Sequence, residues 1–350
     1  MYYLNNIPPD KIQSVQHYTT NHSIIGEKKP TNCTAIIPLA YTPSAQELEY
    51  LKQFNYLLWI GDAFANKWIF GTYDDGENLS PFDHLIFYRM EYSLTDNYVI
   101  FFGKNEQRAI QGLKTKKVYM FDREIWVPED KKEFIFKWKD GRFLNCLKMN
   151  VTSTVDSRAI PENFIDKVAK FRDFIESHNS TPILFGGTLL GWYRECSFIM
   201  DTTDVDLAMK IDALNPIMMK NLEKTKEFKL YWILGKINDS LELSVYSNNI
   251  KIDLFFLYEN ADSAWVGGLF VSKRKKLQWI YPPILEFCVG ELLGKLFHVP
   301  CNVEEVLQAD YGEWKVPHAT ANFTWYESHK NIREAGYWSK QEWKDVYRTF

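Results

Sequence analysis

The sequence predicts an α+β protein, with a mixed sheet and flanking helices in its C-terminal part and a smaller mixed α/β domain before it. Three observations carry this. Short apolar runs of strand length recur along the chain. One stretch near the middle repeats its apolar residues at helical spacing. A strand–turn–helix signature, ILFGGTLLGWYREC (183–196), is followed by two strand-like runs that contain acids.

Taken in order, residues 1–45 are polar and proline-containing and form an extended lead-in. Residues 46–150 read as the N-terminal mixed α/β domain. Ser44 can cap a helix over 44–54, with Leu48, Leu51 and Phe54 on one face. Strands are expected in YLLWI (56–60), NYVIFF (97–102) and KVYMF (117–121). A hairpin is expected over 133–149, turning at Asp140-Gly141. The domain boundary is placed near residue 150, so that 151–350 form the C-terminal domain. There Pro161 can open a helix whose Phe164, Val168, Phe171 and Ile175 recur at helical spacing, and Asn179-Ser180-Thr181-Pro182 ends it. Internal repeats and low-complexity segments are absent from the sequence.

Composition narrows the function. The chain has 350 residues, is 46% hydrophobic and 25% charged, and carries a net charge of −4. With an isoelectric point near 6.0, it lacks the basic surplus of a general nucleic-acid binder. Aromatics reach 16%, a proportion that suits carbohydrate sites but equally a core of large residues. Cys33, Cys146, Cys196, Cys288 and Cys301 form no C-x-x-C pair, which argues against a zinc ribbon; one or two disulfides are compatible, in unspecified pairing. Asn-x-Ser/Thr sequons occur at Asn21, Asn32, Asn78, Asn150, Asn179, Asn238 and Asn322. Chance gives roughly two to three, so the excess points to the secretory pathway. The apolar runs are too short to span a bilayer and Met1 opens no signal peptide, so an anchor, if the protein has one, is expected outside this chain.

The chemistry concentrates in 183–211. Gly186-Gly187 lets the backbone turn sharply after a short strand. Thr188 is expected to cap the helix that follows, whose N-terminus suits a phosphate. In TDVDLAM (203–209), side chains two apart on a strand share a face, so Asp204 and Asp206 point together while Val205 and Leu207 turn to the core. Two converging carboxylates repel unless a cation lies between them, an arrangement that holds Mg²⁺ or Mn²⁺ beside phosphates. Acid-x-acid triplets are common by chance. A third acid, Asp253, sits inside the apolar run IKIDLFFL (250–257), where an unpaired aspartate is expensive. On a neighbouring strand it completes a three-carboxylate metal site.

The ordered set of Gly-Gly turn, helix, acid-apolar-acid and later lone acid resembles the nucleotidyltransferase fold of polymerase β type. More closely, GGTLLGWYREC (186–196) with TDVDLAM resembles the LicD-type phosphotransferases. HVPC (298–301), ADYGEWKVP (309–317) and GYWSKQEW (336–343) are similar to that family's fukutin branch. Members of the LicD type often carry further acids just before the pair, where this chain has Thr202-Thr203.

The resemblance implies a transferase that moves ribitol 5-phosphate from CDP-ribitol to a sugar hydroxyl, that of N-acetylgalactosamine, on an O-mannosyl glycan of a glycoprotein. The alternatives are another CDP-alcohol such as CDP-choline, or a non-catalytic glycan-binding subunit. It also implies a Golgi or ER-lumen location among other glycan-modifying transferases. Asp204, Asp206 and Asp253 would hold Mg²⁺ or Mn²⁺, with Asp253 as a ligand or as the base toward the acceptor. Gly186, Gly187 and Thr188 would cradle phosphate. Arg194 would pair with phosphate or with a core acid, and Asp310 would shape the substrate pocket. The basic run SKRKKLQW (272–279) could guide an anionic donor, against the plainer reading of a solvated face.

Overall fold

The computed structural model describes residues 57–62, 67–72, 88–93, 96–102, 107–120, 123–151, 157–318 and 322–350. The lead-in, the helix expected over 44–54, Cys33 and the sequons at Asn21, Asn32 and Asn78 lie outside them. The chain parts into two compact units between Phe143 and Leu144.

In the first unit, strands β1 (Leu57–Asp62), β2 (Lys67–Thr72), β3 (Tyr88–Ser93), β4 (Tyr98–Phe102) and β5 (Gln107–Gln111) form an antiparallel sheet in chain order. A hairpin of β6 (Thr115–Met120) and β7 (Arg123–Pro128) follows. The expected strands over 56–60, 97–102 and 117–121 fall on β1, β4 and β6.

The hairpin expected over 133–149 is overturned: Lys131–Asp140 is a helix, α1. Its alternating apolar residues look strand-like, but the decisive signals lie at its ends. The Asp130 carboxylate accepts the Glu133 N–H at 3.1 Å, an N-cap. Gly141 stops the helix, and a Cβ there would lie 2.6 Å from the Ala109 carbonyl oxygen. Phe134 and Trp138, one turn apart, are buried against Phe101, while Phe136 is left 68% exposed.

The second unit opens with a single turn of 3₁₀ helix and α2 (Ile165–Glu176). Phe164, Val168, Phe171 and Ile175 are all buried, as their spacing predicts. Next come β8 (Ile183–Leu184), α3 (Gly186–Glu195), β9 (Asp204–Lys210), α4 (Pro216–Leu222), β10 (Lys229–Lys236), β11 (Asp239–Ser247), β12 (Ile250–Glu259), β13 (Ala264–Phe270), β14 (Lys275–Tyr281), β15 (Phe287–Leu292) and β16 (Lys295–Pro300). The unit ends with α5 (Val303–Tyr311), β17 (Ile332–Tyr337), α6 (Trp343–Val346) and β18 (Tyr347–Thr349).

The strands make one mixed sheet in the order β15-β16-β8-β9-β12-β11-β10-β18, from which β13, β14 and β17 continue off β12. β9 and β12 run parallel, as do β8 and β16; the remaining pairings are antiparallel. The apolar face of the central strands, Val205, Leu207, Val245, Ile252 and Leu254, is fully buried, or nearly so. This architecture is α+β, with a large mixed sheet and few helices.

Two disulfides complete the unit. Cys146–Cys196 closes a separation of 50 residues and ties the chain before α2 to the end of α3. Cys288–Cys301 closes 13 residues across the β15–β16 hairpin. Such bonds persist in oxidising compartments. Asn150, Asn179, Asn238 and Asn322 are exposed. No helix among the described residues is long and apolar enough to cross a membrane.

Candidate active site

The parallel register of β9 and β12 sets Asp206 opposite Asp253 and Asp204 opposite Lys251. Paired residues on adjacent strands project to the same face. One carboxylate oxygen from each of Asp204, Asp206 and Asp253 accordingly lies within 4.8 Å of the other two. All three donors are hard oxygens, with no sulfur or imidazole among them, which is the chemistry that takes a hard divalent cation.

The surroundings fit that role. Burial, followed by the charges of Asp204 and Asp253, pushes the Asp206 carboxyl well above the usual range. Asp253, only 3% exposed, is raised by burial against the opposing pull of Lys251 and Ser244. A cation at the cluster removes this repulsion.

The Gly-Gly turn acts on the cluster directly. Gly186 adopts φ +49°, and a Cβ on it would stand 2.7 Å from Asp206 Oδ2, so only glycine fits. The Gly187 N–H donates to that same oxygen at 2.9 Å. Thr188 lies inside α3, whose N-cap position is Phe185, so the expected threonine cap is corrected. Its hydroxyl instead accepts the Asp206 backbone N–H at 2.8 Å. The helix start thereby holds Asp206 by both its main chain and its side chain.

Arg194 is 3% exposed. Its Nη2 lies 2.6 Å from Glu195 Oε1 and its Nη1 donates to the Trp314 carbonyl at 3.1 Å. Asp310, 1% exposed, accepts from the Tyr281 hydroxyl at 3.0 Å and bonds His329 Nδ1 at 2.8 Å. Both residues line one cavity of about 790 Å³ with the three aspartates and Gly186-Gly187. In the basic run, Lys275 pairs with Glu334, while Lys276 pairs with Asp239 and packs over the Trp338 ring.

Sequence reasoning missed three residues here. Lys251 Nζ lies 2.8 Å from Asp253 Oδ2 and 3.3 Å from Asp204 Oδ2. Burial works against its charge, but Asp253 and Asp204 outweigh this and hold the ammonium above its ordinary value. On β11, the Ser244 hydroxyl donates to Asp253 Oδ1. Glu242 shares that face; burial, then Asp253, pushes its carboxyl up to about 8. The alternation in DSLELSVYS (239–247) was the available signal for both β11 residues.

Lys251→Met tests the charge balance. Without divalent cations it should destabilise the protein on the order of 3 kcal/mol, because the carboxylates lose their counter-charge. Added Mg²⁺ should recover much of that loss by mass action. Urea denaturation with and without Mg²⁺ reads both. An equal loss in the two conditions would refute a cation role for the cluster.

Comparison with known proteins places the chain. The family model described as "LicD/FKTN/FKRP, nucleotidyltransferase domain" matches residues 179–302, which include all three aspartates. An uncharacterised Caenorhabditis elegans protein, T07A5.1, is 32% identical over 276 residues, covering 75% of this chain and 71% of the relative. The chain belongs to the LicD/FKTN/FKRP family. Within that family, a second C. elegans protein, W02B3.4, is 32% identical over 64% of this chain and 60% of its own length. The human ribitol-5-phosphate transferase FKTN is 31% identical over 65% of this chain and 51% of its own length. The family member described here therefore spans about half the length of the fukutin relative it matches.

Proposed function

We propose that this protein is a metal-dependent phosphotransferase of nucleotidyltransferase-like, polymerase β-type architecture. In this reading it moves ribitol 5-phosphate from CDP-ribitol to a sugar hydroxyl on an O-mannosyl glycan of a glycoprotein, with release of CMP. The observation that carries it is the meeting of Asp204, Asp206 and Asp253 in one cavity, immediately beyond the glycine turn. The similarity to ribitol-5-phosphate transferases supports the choice of donor.

In the reaction the acceptor hydroxyl oxygen bonds to the phosphorus that carries ribitol. The bond from that phosphorus to the bridging oxygen breaks, CMP leaves with the bridging oxygen and the electron pair, and the hydroxyl proton is released to solvent. Mg²⁺ or Mn²⁺ held by the three aspartates would supply charge neutralisation at the pyrophosphate. The chain's own groups orient and enclose. Gly187 N–H and Thr188 fix the angle of Asp206. Lys251 and Ser244 bond Asp253, which favours a positioning or ligand role for it over that of a free base. The cavity has the size of small-molecule sites. Gly186 and Gly187 line the cavity at the start of α3, which supports a phosphate beside them, although the Gly187 N–H and the Thr188 hydroxyl are engaged with Asp206; Asp310, bonded by Tyr281 and His329, lines the same cavity. The disulfides and exposed sequons support a Golgi or ER-lumen setting among glycan-modifying partners.

The test is CMP release from CDP-ribitol, CDP-glycerol and CDP-choline, with Mg²⁺ or Mn²⁺ and an acceptor bearing N-acetylgalactosamine. CDP-ribitol is expected to turn over fastest. Faster turnover of CDP-choline would reassign the donor. No CMP from any donor, with no calorimetric binding of CDP or Mn²⁺, would leave a non-catalytic subunit.

A further inference from the structure

Glu242 is 7% exposed and faces the cavity. It is the register partner of Phe255 on β12 and lies two residues before Ser244, the partner of Asp253, so its side chain projects to the face that carries the aspartates. It is not part of the three-carboxylate cluster. Among the described residues it has neither a hydrogen-bond partner nor an ion pair. Its carboxyl lines the cavity, where a bound group can supply the missing hydrogen bonds.

What stands next to it narrows that partner. Glu242 Oε2 lies 3.9 Å from the point a Cβ on Gly268 would occupy, and Trp279 Cζ3 lies 2.7 Å from the same point. The missing side chain of Gly268 lets the indole lie across the strand toward the acid. Trp279 in turn stacks with Trp325, with ring centroids 5.9 Å apart and planes inclined by 30°. Trp325 is 45% exposed. The site thus combines an unpartnered acid with an aromatic wall, both lining the cavity that holds the aspartates.

We infer that Glu242 and Trp279 form a subsite for a polyhydroxylated group, which sets the preference for hydroxylated substrates over other alcohols. The inference rests on the transferase reading for its place in the reaction. The C–H groups of an alditol or sugar pack against the Trp279–Trp325 pair where it lines the cavity, and hydroxyls two or three bonds apart exchange hydrogen bonds with the acid. In either protonation state Glu242 bonds hydroxyls, as acceptor when ionised and as donor and acceptor when protonated. A quaternary ammonium fits less well. It has no hydroxyl to exchange hydrogen bonds with the acid, and the Lys251 ammonium, which lines the same cavity and covers the Trp232 ring at 5.6 Å, repels a second cation.

The experiment is saturation-transfer NMR on the Mg²⁺-loaded protein with free ribitol, N-acetylgalactosamine and choline as probes. Wild type should transfer saturation to ribitol or to N-acetylgalactosamine, and the responding probe tells the donor's alditol from the acceptor's sugar. Glu242→Leu should weaken that binding about tenfold or more. Glu242→Gln, which still bonds hydroxyls, should stay within about threefold of wild type. Urea denaturation checks that the variants are folded. Choline responding as strongly as both polyols, or Glu242→Leu binding as wild type does, would overturn the inference. CMP release by wild type is scored separately, so failure of the transferase reading shows as absent turnover while the polyol signal is judged alone.

Discussion

Asp206→Asn is expected to lower CMP release about 1,000-fold while leaving the protein folded. A cation at a transferring phosphate contributes several kcal/mol to the transition state, and each 1.4 kcal/mol or so is tenfold in rate. Asp206 is the member of the cluster whose loss should count most. It sits between the charges of Asp204 and Asp253, and its Oδ2 is aimed by the Gly187 N–H. The asparagine oxygen still accepts that N–H, and the Thr188 hydroxyl still receives the backbone N–H at 206, so local geometry should persist. Removing one of three crowded carboxylates also relieves repulsion. In EDTA the variant should therefore melt no lower than wild type, and the rise in Tm that Mg²⁺ gives wild type should shrink or vanish. Paired CMP-release and melting curves decide it. Turnover near wild type would refute the site as drawn, and a large drop of Tm in EDTA would mean that Asp206 is structural.

Trp192→Ala should destabilise the protein by about 3–5 kcal/mol, the range for deleting a fully buried indole. Trp192 is fully buried, and its Nε1 donates to the Glu291 carbonyl at 2.9 Å, so the alanine leaves both a cavity and an orphaned acceptor. The ring lies directly on Gly290, where an added Cβ would stand 2.1 Å from Trp192 Cζ2. Gly290→Ala should thus be strongly destabilising in the wild type yet far milder alongside Trp192→Ala, because the ring it would strike is gone. That non-additivity, read by urea denaturation of the two single variants and the double variant, is specific to the contact. Independent, additive losses would sink it. The contact also matters for the site: Trp192 locks α3 onto β15, and α3 begins at the glycines that hold Asp206.

Much of this was legible in the sequence because it depends on local periodicity. Residues two apart on a strand share a face, so Asp204 and Asp206 had to point together once TDVDLAM formed a strand. The buried spacing of Phe164, Val168, Phe171 and Ile175 similarly marked α2. In the first unit periodicity alone does not decide the element. The apolar residues of 133–138 satisfy both a strand and a helix pattern, and the choice fell to the Asp130 cap and the Gly141 stop. Asp140-Gly141 fits a hairpin turn as well as a helix end, so the local residues alone leave the choice open.

The sequence by itself determined which acids share a face, which strands are apolar enough to be buried, and that a sharp turn can precede α3; that Gly186 must be glycine came from its φ and its contact with Asp206. Only the tertiary structure decided that β12 lies parallel beside β9 in the register that sets Asp253 next to Asp206. It alone placed Lys251 between two of the acids, sent the Gly187 N–H to Asp206 rather than leaving it open, paired Cys146 with Cys196, and brought Glu242 against Trp279 over Gly268. The physical reason is range. Side-chain direction follows from the backbone of a few consecutive residues, whereas strand order and register come from burying distant apolar faces together, and no short stretch of sequence encodes which distant face that will be.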